Sequence, residues 1–310
     1  MIVSFISGAV RLGTAFLFGS VGETITEKSG HLNLGIPGIM CFGALGGCVG
    51  VSIIGYVPVV TVIVAIIFSF LFAGLLGLLY SFLTVTLRAN QNVTGLTITT
   101  FGVGCTNHFI TLVDDSSFAQ ASTCFTDLFT FYYDLGAFGE LFLSYGILVY
   151  LAIAIAILTS YVLNKTKLGL HLRAVGESPA TADAASINVT KYRYFATIIG
   201  AGVAGLGGLF YIMDYLTGSW EYSIDAIGWL SIALVIFTVW RPNWSILGSF
   251  LFGGLYILPN YLKVNFSQME LLKMLPYVVT ILVLIFISIR GKKENQPPAS
   301  LGLNYFREER

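Results

Sequence analysis

SGHLNLGIPGIMCFGALGGCVGVSIIGYVPVVTVIVAIIFSFLFAGLLGLLYSFLTVTL, residues 29–87, contains no Asp, Glu, Lys or Arg. About 20 consecutive apolar residues carry a helix across the hydrocarbon core of a bilayer. This stretch is long enough for two such helices. It does not alternate polar and apolar side chains as a barrel strand does. Four more charge-free runs follow, at residues 89–113, 141–163, 194–213 and 242–262. A helix buried in a water-soluble core explains one such run, not five. Composition agrees: of 310 residues, 56% are hydrophobic and only 10% charged, against about 25% charged in soluble domains. So few charges cannot cover a water-facing surface, and lipid is the expected solvent.

The expected fold is therefore an all-α integral membrane protein, a polytopic bundle of about nine helices (range about 8–10). The expected spans are 4–24, 32–54, 58–87, 92–113, 141–163, 194–216, 225–240, 243–262 and 274–290. One or two of them are expected to be broken or re-entrant. Residues 1–310 read as one transmembrane domain with a 164–193 loop and a 291–310 tail. No basic start followed by a cleavage-like site is visible, so the first span is expected to direct insertion.

Orientation follows from Lys and Arg in short loops. With 164–193 in the cytoplasm, Lys28, Arg88, Lys165, Lys167, Arg173, Lys191, Arg193, Arg241, Arg290, Lys292, Lys293, Arg307 and Arg310 fall inside, 13 of the 16 basic residues. Arg11, Lys263 and Lys273 are the exceptions. The 114–140 loop then lies outside with Asp114, Asp115, Asp127, Asp134 and Glu140 and no basic residue. The N-terminus is expected outside and the C-terminus in the cytoplasm, in a cell membrane. Acidic and basic residues balance at 16 each, which gives no sign of a nucleic-acid partner.

Small residues recur four apart: Gly43 with Gly47, Gly46 with Gly50, Ala73 with Gly77, Ala204 with Gly208. Such spacing lets helix backbones approach closely in lipid, so a tight bundle is expected. Arg11, Glu23 and Asp214 lie near span ends and are expected to reach the interface. A proton- or ion-coupled carrier ordinarily needs buried ionisable groups, and mid-span positions carry almost none. Uncharged polar residues do lie at membrane depth. They concentrate in residues 90–100 (NQNVTGLTITT), in Asn107 and His108, and in residues 30–38 (GHLNLGIPG). Glycine and Pro37 in the last segment predict an interrupted helix. Broken backbone at this depth is tolerated where it lines a cavity in the protein. Hydrogen bonds that only hold helices together are the competing reading for each of these residues.

The 164–193 segment, NKTKLGLHLRAVGESPATADAASINVTKYR, is too polar for a span yet has local order written into it. Ser178-Pro179 is an N-cap followed by proline at the first helical position. Ala180 to Ile187 reads as a short helix, with Asn188 expected to close it in a left-handed cap. A short, semi-apolar helix beyond the membrane invites a protein partner. Lying on the membrane surface is the alternative.

Chemistry-bearing motifs are missing. There is no G-x-x-x-x-G-K-[ST] to cradle phosphates and no H-E-x-x-H. His31, His108 and His171 are scattered. Cys41, Cys48, Cys105 and Cys124 form no C-x-x-C pair, so neither a disulfide framework nor a metal site is expected. No cofactor and no catalytic residue are expected, and the chain reads as a non-enzyme.

RAVGESPATADAASINVTKYRYFATIIGAGVAGLGGLFY, residues 173–211, resembles the hallmark loop of bacterial ABC importer permeases of the branched-chain amino acid, ribose and nucleoside family. Residues 22–40 (GETITEKSGHLNLGIPGIM) resemble that family's first cytoplasmic turn and second span, and residues 89–104 (ANQNVTGLTITTFGVG) its fourth-span signature. The likeness is greatest to nucleoside-type permeases that work with basic-membrane-protein lipoproteins. Gly22-Glu23-Thr24 and Asn107-His108 depart from the family pattern. The resemblance implies a permease subunit whose ATP hydrolysis resides in a separate cytoplasmic ABC ATPase. It also implies a second permease subunit (an unlike one favoured over a copy) and an extracellular solute-binding lipoprotein. Arg173, Gly176, Glu177, Ser178, Pro179, Ala182 and Asp183 are implied as the coupling contact. Asn33, Gly35, Gln91, Asn92, Thr94, Thr97, Thr100 and Asn107 are expected along the pathway of a small polar solute, a nucleoside first and a simple sugar such as ribose next. An ion-coupled carrier or a passive channel is the alternative class.

Overall fold

In a computed structural model, the chain is described over residues 2–126, 136–222, 224–262, 271–272, 274–290 and 296–306. Asp127, Asp134, Lys263, Lys273, Lys292, Lys293, Arg307 and Arg310 lie outside the described residues. Among the described residues there is no β-strand. The protein is an all-α membrane protein.

Helix α1 (Ile2–Glu27) leads through an irregular turn to α2 (Ile36–Ile54), with Pro37 in its first turn. This is the interruption expected at residues 30–38. Helix α3 (Val60–Ser81) runs on through a π-helical turn, Phe82–Thr86. Helix α4 (Gln91–Phe109) is capped by Asn90, whose side chain accepts the Val93 N–H at 3.1 Å. Two short helices follow, α5 (Phe118–Thr126) and α6 (Gly136–Phe142). Helix α7 (Ile147–Lys165), a hairpin of α8 (Lys167–Glu177) and α9 (Pro179–Ala184), and α10 (Val189–Phe210) with a π-helical end, Tyr211–Tyr215, come next. Helices α11 (Ile224–Phe237), α12 (Pro242–Tyr261) and α13 (Leu275–Arg290) complete the bundle.

Each expected span overlaps one of these helices, but the structure does not establish nine crossings, and the 141–163 span is helical in α7 only from Ile147. Five are long and apolar enough to cross a membrane by themselves: α1, α2, α3 with its π turn, α7, and α10 with its π turn. Helices α11 and α13, at 14 and 16 residues, are shorter than a bilayer requires. Helices α4 and α12 are long but more polar. Within the 114–140 segment the described residues form α5 and the start of α6, and α5 buries Phe118, Ala121 and Phe125 in the core.

Helix α10 is the hub, packed against α1, α2 and α3. Along their spans α2 and α10 are 78% buried and α3 only 33%, which separates core helices from lipid-facing ones. The four-residue spacings fall on these contacts. Gly43 of α2 faces Gly205 of α10, Gly46 faces Phe72 of α3, and Gly77 of α3 faces Ala201 of α10. Side chains there would hold the backbones apart, and van der Waals contact is the main attraction between helices in lipid. The outer face of α3 carries Ile63, Ile67, Leu71 and Leu75, as a lipid-facing stripe requires.

Candidate functional site

The segment between α1 and α2 has irregular backbone and is largely buried, so its buried polar groups need partners. Side chains from three helices, α1, α3 and α4, supply several of them. Glu23 Oε1 accepts the Asn33 N–H at 3.0 Å, and Gln91 Oε1 accepts the Leu32 N–H at 2.8 Å. Tyr80 donates its hydroxyl to Leu32 O, and Thr99 Oγ1 donates to Leu34 O at 2.8 Å. Asn33 Oδ1 accepts the Gly35 N–H at 2.9 Å, a local Asx turn. Asn33, Gly35, Gln91 and Thr94, expected along the pathway, are therefore buried in a joint between α1, α2 and α4. Glu23 is also buried, not at the interface, and Asp214 is buried and paired with Arg11 at 3.4 Å. Glu27 lies beside Glu23 and accepts the indole N–H of Trp240.

The other half of the expected pathway set points elsewhere. Helix α4 packs on α2 through Ile98, Thr99 and Gly102 and on the α1–α2 turn through Gln91 and Gly95, with Thr94 also buried. Its opposite side is open and carries Asn92, Thr97, Thr100 and His108, with Asn107 half-buried at the edge. Val93, Leu96 and Phe101 are exposed among them. Thr97 and Thr100 donate their hydroxyls to the carbonyls of Val93 and Leu96, which leaves each oxygen's acceptor sites outward. This mixed face contrasts with the apolar outer stripe of α3.

The α8–α9 hairpin projects at one end of the bundle. Thr166 caps α8 by accepting the Gly169 N–H at 3.2 Å. Ser178 caps α9, accepting the Thr181 N–H at 3.4 Å, with Pro179 at the first position. The left-handed residue after α9 is Ser186 (φ 64°), not Asn188. Asn188 instead starts α10, its Oδ1 accepting the Lys191 N–H at 2.9 Å. The correction has a simple cause, since an Asx side chain serves a helix start as readily as a left-handed end.

Of the expected coupling residues, Glu177 is exposed and Arg173, Ser178, Pro179 and Asp183 are half-buried. Gly176 and Ala182 are buried within the chain itself. Gly176 lies against the Lys28 carbonyl, and Ala182 packs with Val175 and Val189. Burial lowers the pKa of Lys28; Glu177 raises it, and Arg173 and Arg241 lower it further. The same end of the bundle thus gathers Lys28, Arg173, Glu177 and Arg241. Sequence reading missed the C-terminal segment, whose Ser300, Asn304 and Tyr305 bond to this end. Among the described residues no group of His, Cys, Asp and Glu is arranged to hold a metal ion.

Helices of bilayer length, close glycine-lined crossings and a capped hairpin outside the bundle define a multi-pass membrane protein. The chain belongs to the branched-chain amino acid transport system permease component family, which matches residues 5–284. Members are non-catalytic membrane subunits of ABC importers, which work with an ATPase and a solute-binding protein. The chain is 32% identical to a nucleoside ABC transporter permease protein of Lactococcus lactis, over 95% of this chain and 94% of that one. It is 29% identical to a guanosine ABC transporter permease protein of Bacillus subtilis, over 86% of each chain. A candidate glucose ABC transporter permease protein of Haloferax volcanii is 31% identical over 98% of this chain and 97% of the other. No solved structure matches the chain.

Proposed function

We propose that the chain forms half of the translocation pathway of an ABC importer for nucleosides, with solute moving along the open face of α4. The observation that carries this reading is the open face itself. An amide and imidazole stripe is costly against lipid, and such groups in spans ordinarily face a water-filled path or another subunit. Asn92, Thr97, Thr100 and Asn107 then offer hydrogen bonds to ribose hydroxyls and base edges. One chain exposes this face, so a second permease subunit closes the pathway. Asn33, Gly35, Gln91 and Thr94 support the path from behind by holding α4 to the α1–α2 joint.

The α8–α9 hairpin is the ATPase contact in this reading, with Glu177, Ser178 and Pro179 presented outward and Arg173 and Asp183 flanking them. Gly176 and Ala182 act from within by fixing the hairpin's shape. The basic end of the bundle is cytoplasmic and the N-terminus extracellular. Nucleosides are favoured because two relatives carry nucleoside or guanosine in their names and the sequence resembles that subgroup. Glucose, from the third, is the second solute.

Reconstitution with the cognate ATPase and solute-binding protein tests this. ATP-dependent uptake of labelled guanosine that withstands an ionophore is the expected result, and Pro179→Arg abolishes recovery of the ATPase with the permease. Uptake that collapses with an ionophore and ignores ATP sinks the importer reading. ATP-driven uptake of glucose without guanosine changes the solute alone.

A further inference from the structure

We infer that residues 299–306 are a strap that positions α4 according to the position of the α8–α9 hairpin. This rests on the reading of that hairpin as the ATPase contact and of α4 as the pathway surface. The hairpin and the start of α4 are far apart in sequence and are tied together through this segment. At one end, the Ser300 N–H and Oγ both donate to Gly176 O, at 3.0 and 2.6 Å. The Ala299 N–H donates to Glu177 Oε2 at 3.4 Å, and the Tyr305 hydroxyl donates to Asp183 Oδ2 at 2.9 Å. These bonds hold the end of α8 and the body of α9.

At the other end, Asn304 Nδ2 donates to Arg88 O at 2.7 Å and to Ala89 O at 3.3 Å. Gln91, the first residue of α4, donates Nε2 to Leu303 O and to Asn304 Oδ1, each at 3.3 Å. The Arg88 guanidinium stacks over the Phe306 ring, 4.8 Å from its centroid. Arg88 has φ 58°, a backbone state that a residue with a side chain adopts only where neighbours hold it. Asn304 grips the carbonyl of that strained residue. The strap therefore bears on the turn that aims α4.

Between the two ends the segment gains a third anchor. Arg193, the buried residue in the first turns of α10, donates Nη1 to Leu303 O at 3.2 Å. Gln91 also accepts the Leu32 N–H, so α4, the α1–α2 joint and the strap meet on one side chain. Movement of the hairpin cannot leave the start of α4 in place without breaking several of these bonds. Ser300, Asn304 and Tyr305 are thus positioning residues. They touch no solute, and they convert a displacement of the docking hairpin into a displacement of the open face.

The test uses the full importer complex in proteoliposomes, with Thr100→Cys as reporter and Cys105 and Cys124 replaced by Ser. A membrane-impermeant maleimide is the probe, applied without nucleotide and after vanadate trapping with ATP. The parent complex is expected to change its labelling between the two states. Asn304→Ala/Tyr305→Phe is expected to retain ATPase association and hydrolysis while that change falls on the order of tenfold, the scale of coupling between two sites. A double variant that changes labelling as the parent does overturns the strap. If the double variant fails to assemble, Tyr305→Phe alone decides: a diminished change supports the strap, and a full one overturns it. A parent complex whose labelling ignores nucleotide overturns the α4 pathway reading, and the strap with it.

Discussion

His31 shows what burial does to one residue. It lies in the turn between α1 and α2, fully buried, with Nδ1 2.8 Å from Thr197 Oγ1. Burial, and then the charge of Arg193, push its pKa down to about 3 from an ordinary 6.5. The folded protein keeps the ring neutral, while the unfolded chain takes up a proton below pH about 6.5. Stability from this residue is complete above that pH and is lost as pH falls from about 6.5 towards 3. At pH 5 the loss is about 2 kcal/mol, from about 1.4 kcal/mol per pH unit. His31→Gln is expected to flatten this part of the profile, read as the unfolding midpoint in detergent between pH 7 and pH 5. An unchanged slope in the variant would show that His31 is not the group responsible.

At the scale of the element, α9 is six residues held at both ends. Ser178 and Pro179 start it, and Ser186 in the left-handed region turns the chain into Asn188, the cap of α10. A helix this short is not stable by its own hydrogen bonds, because the nucleation cost is spread over too few residues. Caps and the small core of Val175, Ala182, Val189 and Tyr305 hold it. Ser178→Ala removes one cap, worth about 1 kcal/mol. The global unfolding midpoint is expected to stay near that of the parent, because α9 lies outside the bundle. Recovery of the ATPase with the permease is expected to fall several-fold. A fall in the midpoint with full ATPase recovery would place α9 in the core of stability and not at the contact.

The whole molecule has two unlike outer faces. The α3 stripe is apolar and suits lipid, while the open side of α4 mixes Asn, Thr and His with apolar residues. A bundle that needed no companion would bury or paint over the second face. Cysteine at Thr97 is expected to cross-link to the second permease subunit with a short bismaleimide, whereas Leu71→Cys is not. Equal cross-linking from both positions would remove the distinction between a subunit face and a lipid face.

The membrane environment, the long apolar helices and the Ser178–Pro179 start of α9 were legible in the amino-acid sequence, because each depends on neighbours within a few turns, whereas the left-handed close of α9 falls at Ser186 and not at Asn188. Hydropathy over 20 residues reports the local solvent, and a Ser-Pro pair sets its own backbone. The roles of the polar residues were not legible. Asn33 and Gln91 look alike to Asn92 and Thr97 in sequence, yet the first two are sealed in a joint and the last two face outward. Only the tertiary structure separated them, because the partners of buried polar groups sit far along the chain. Glu27 meets Trp240, Arg11 meets Asp214 and Gln91 meets Asn304, each pair more than 200 residues apart. A polar group in a bilayer is positioned by whichever partner can satisfy it, and that choice is made by how the helices pack.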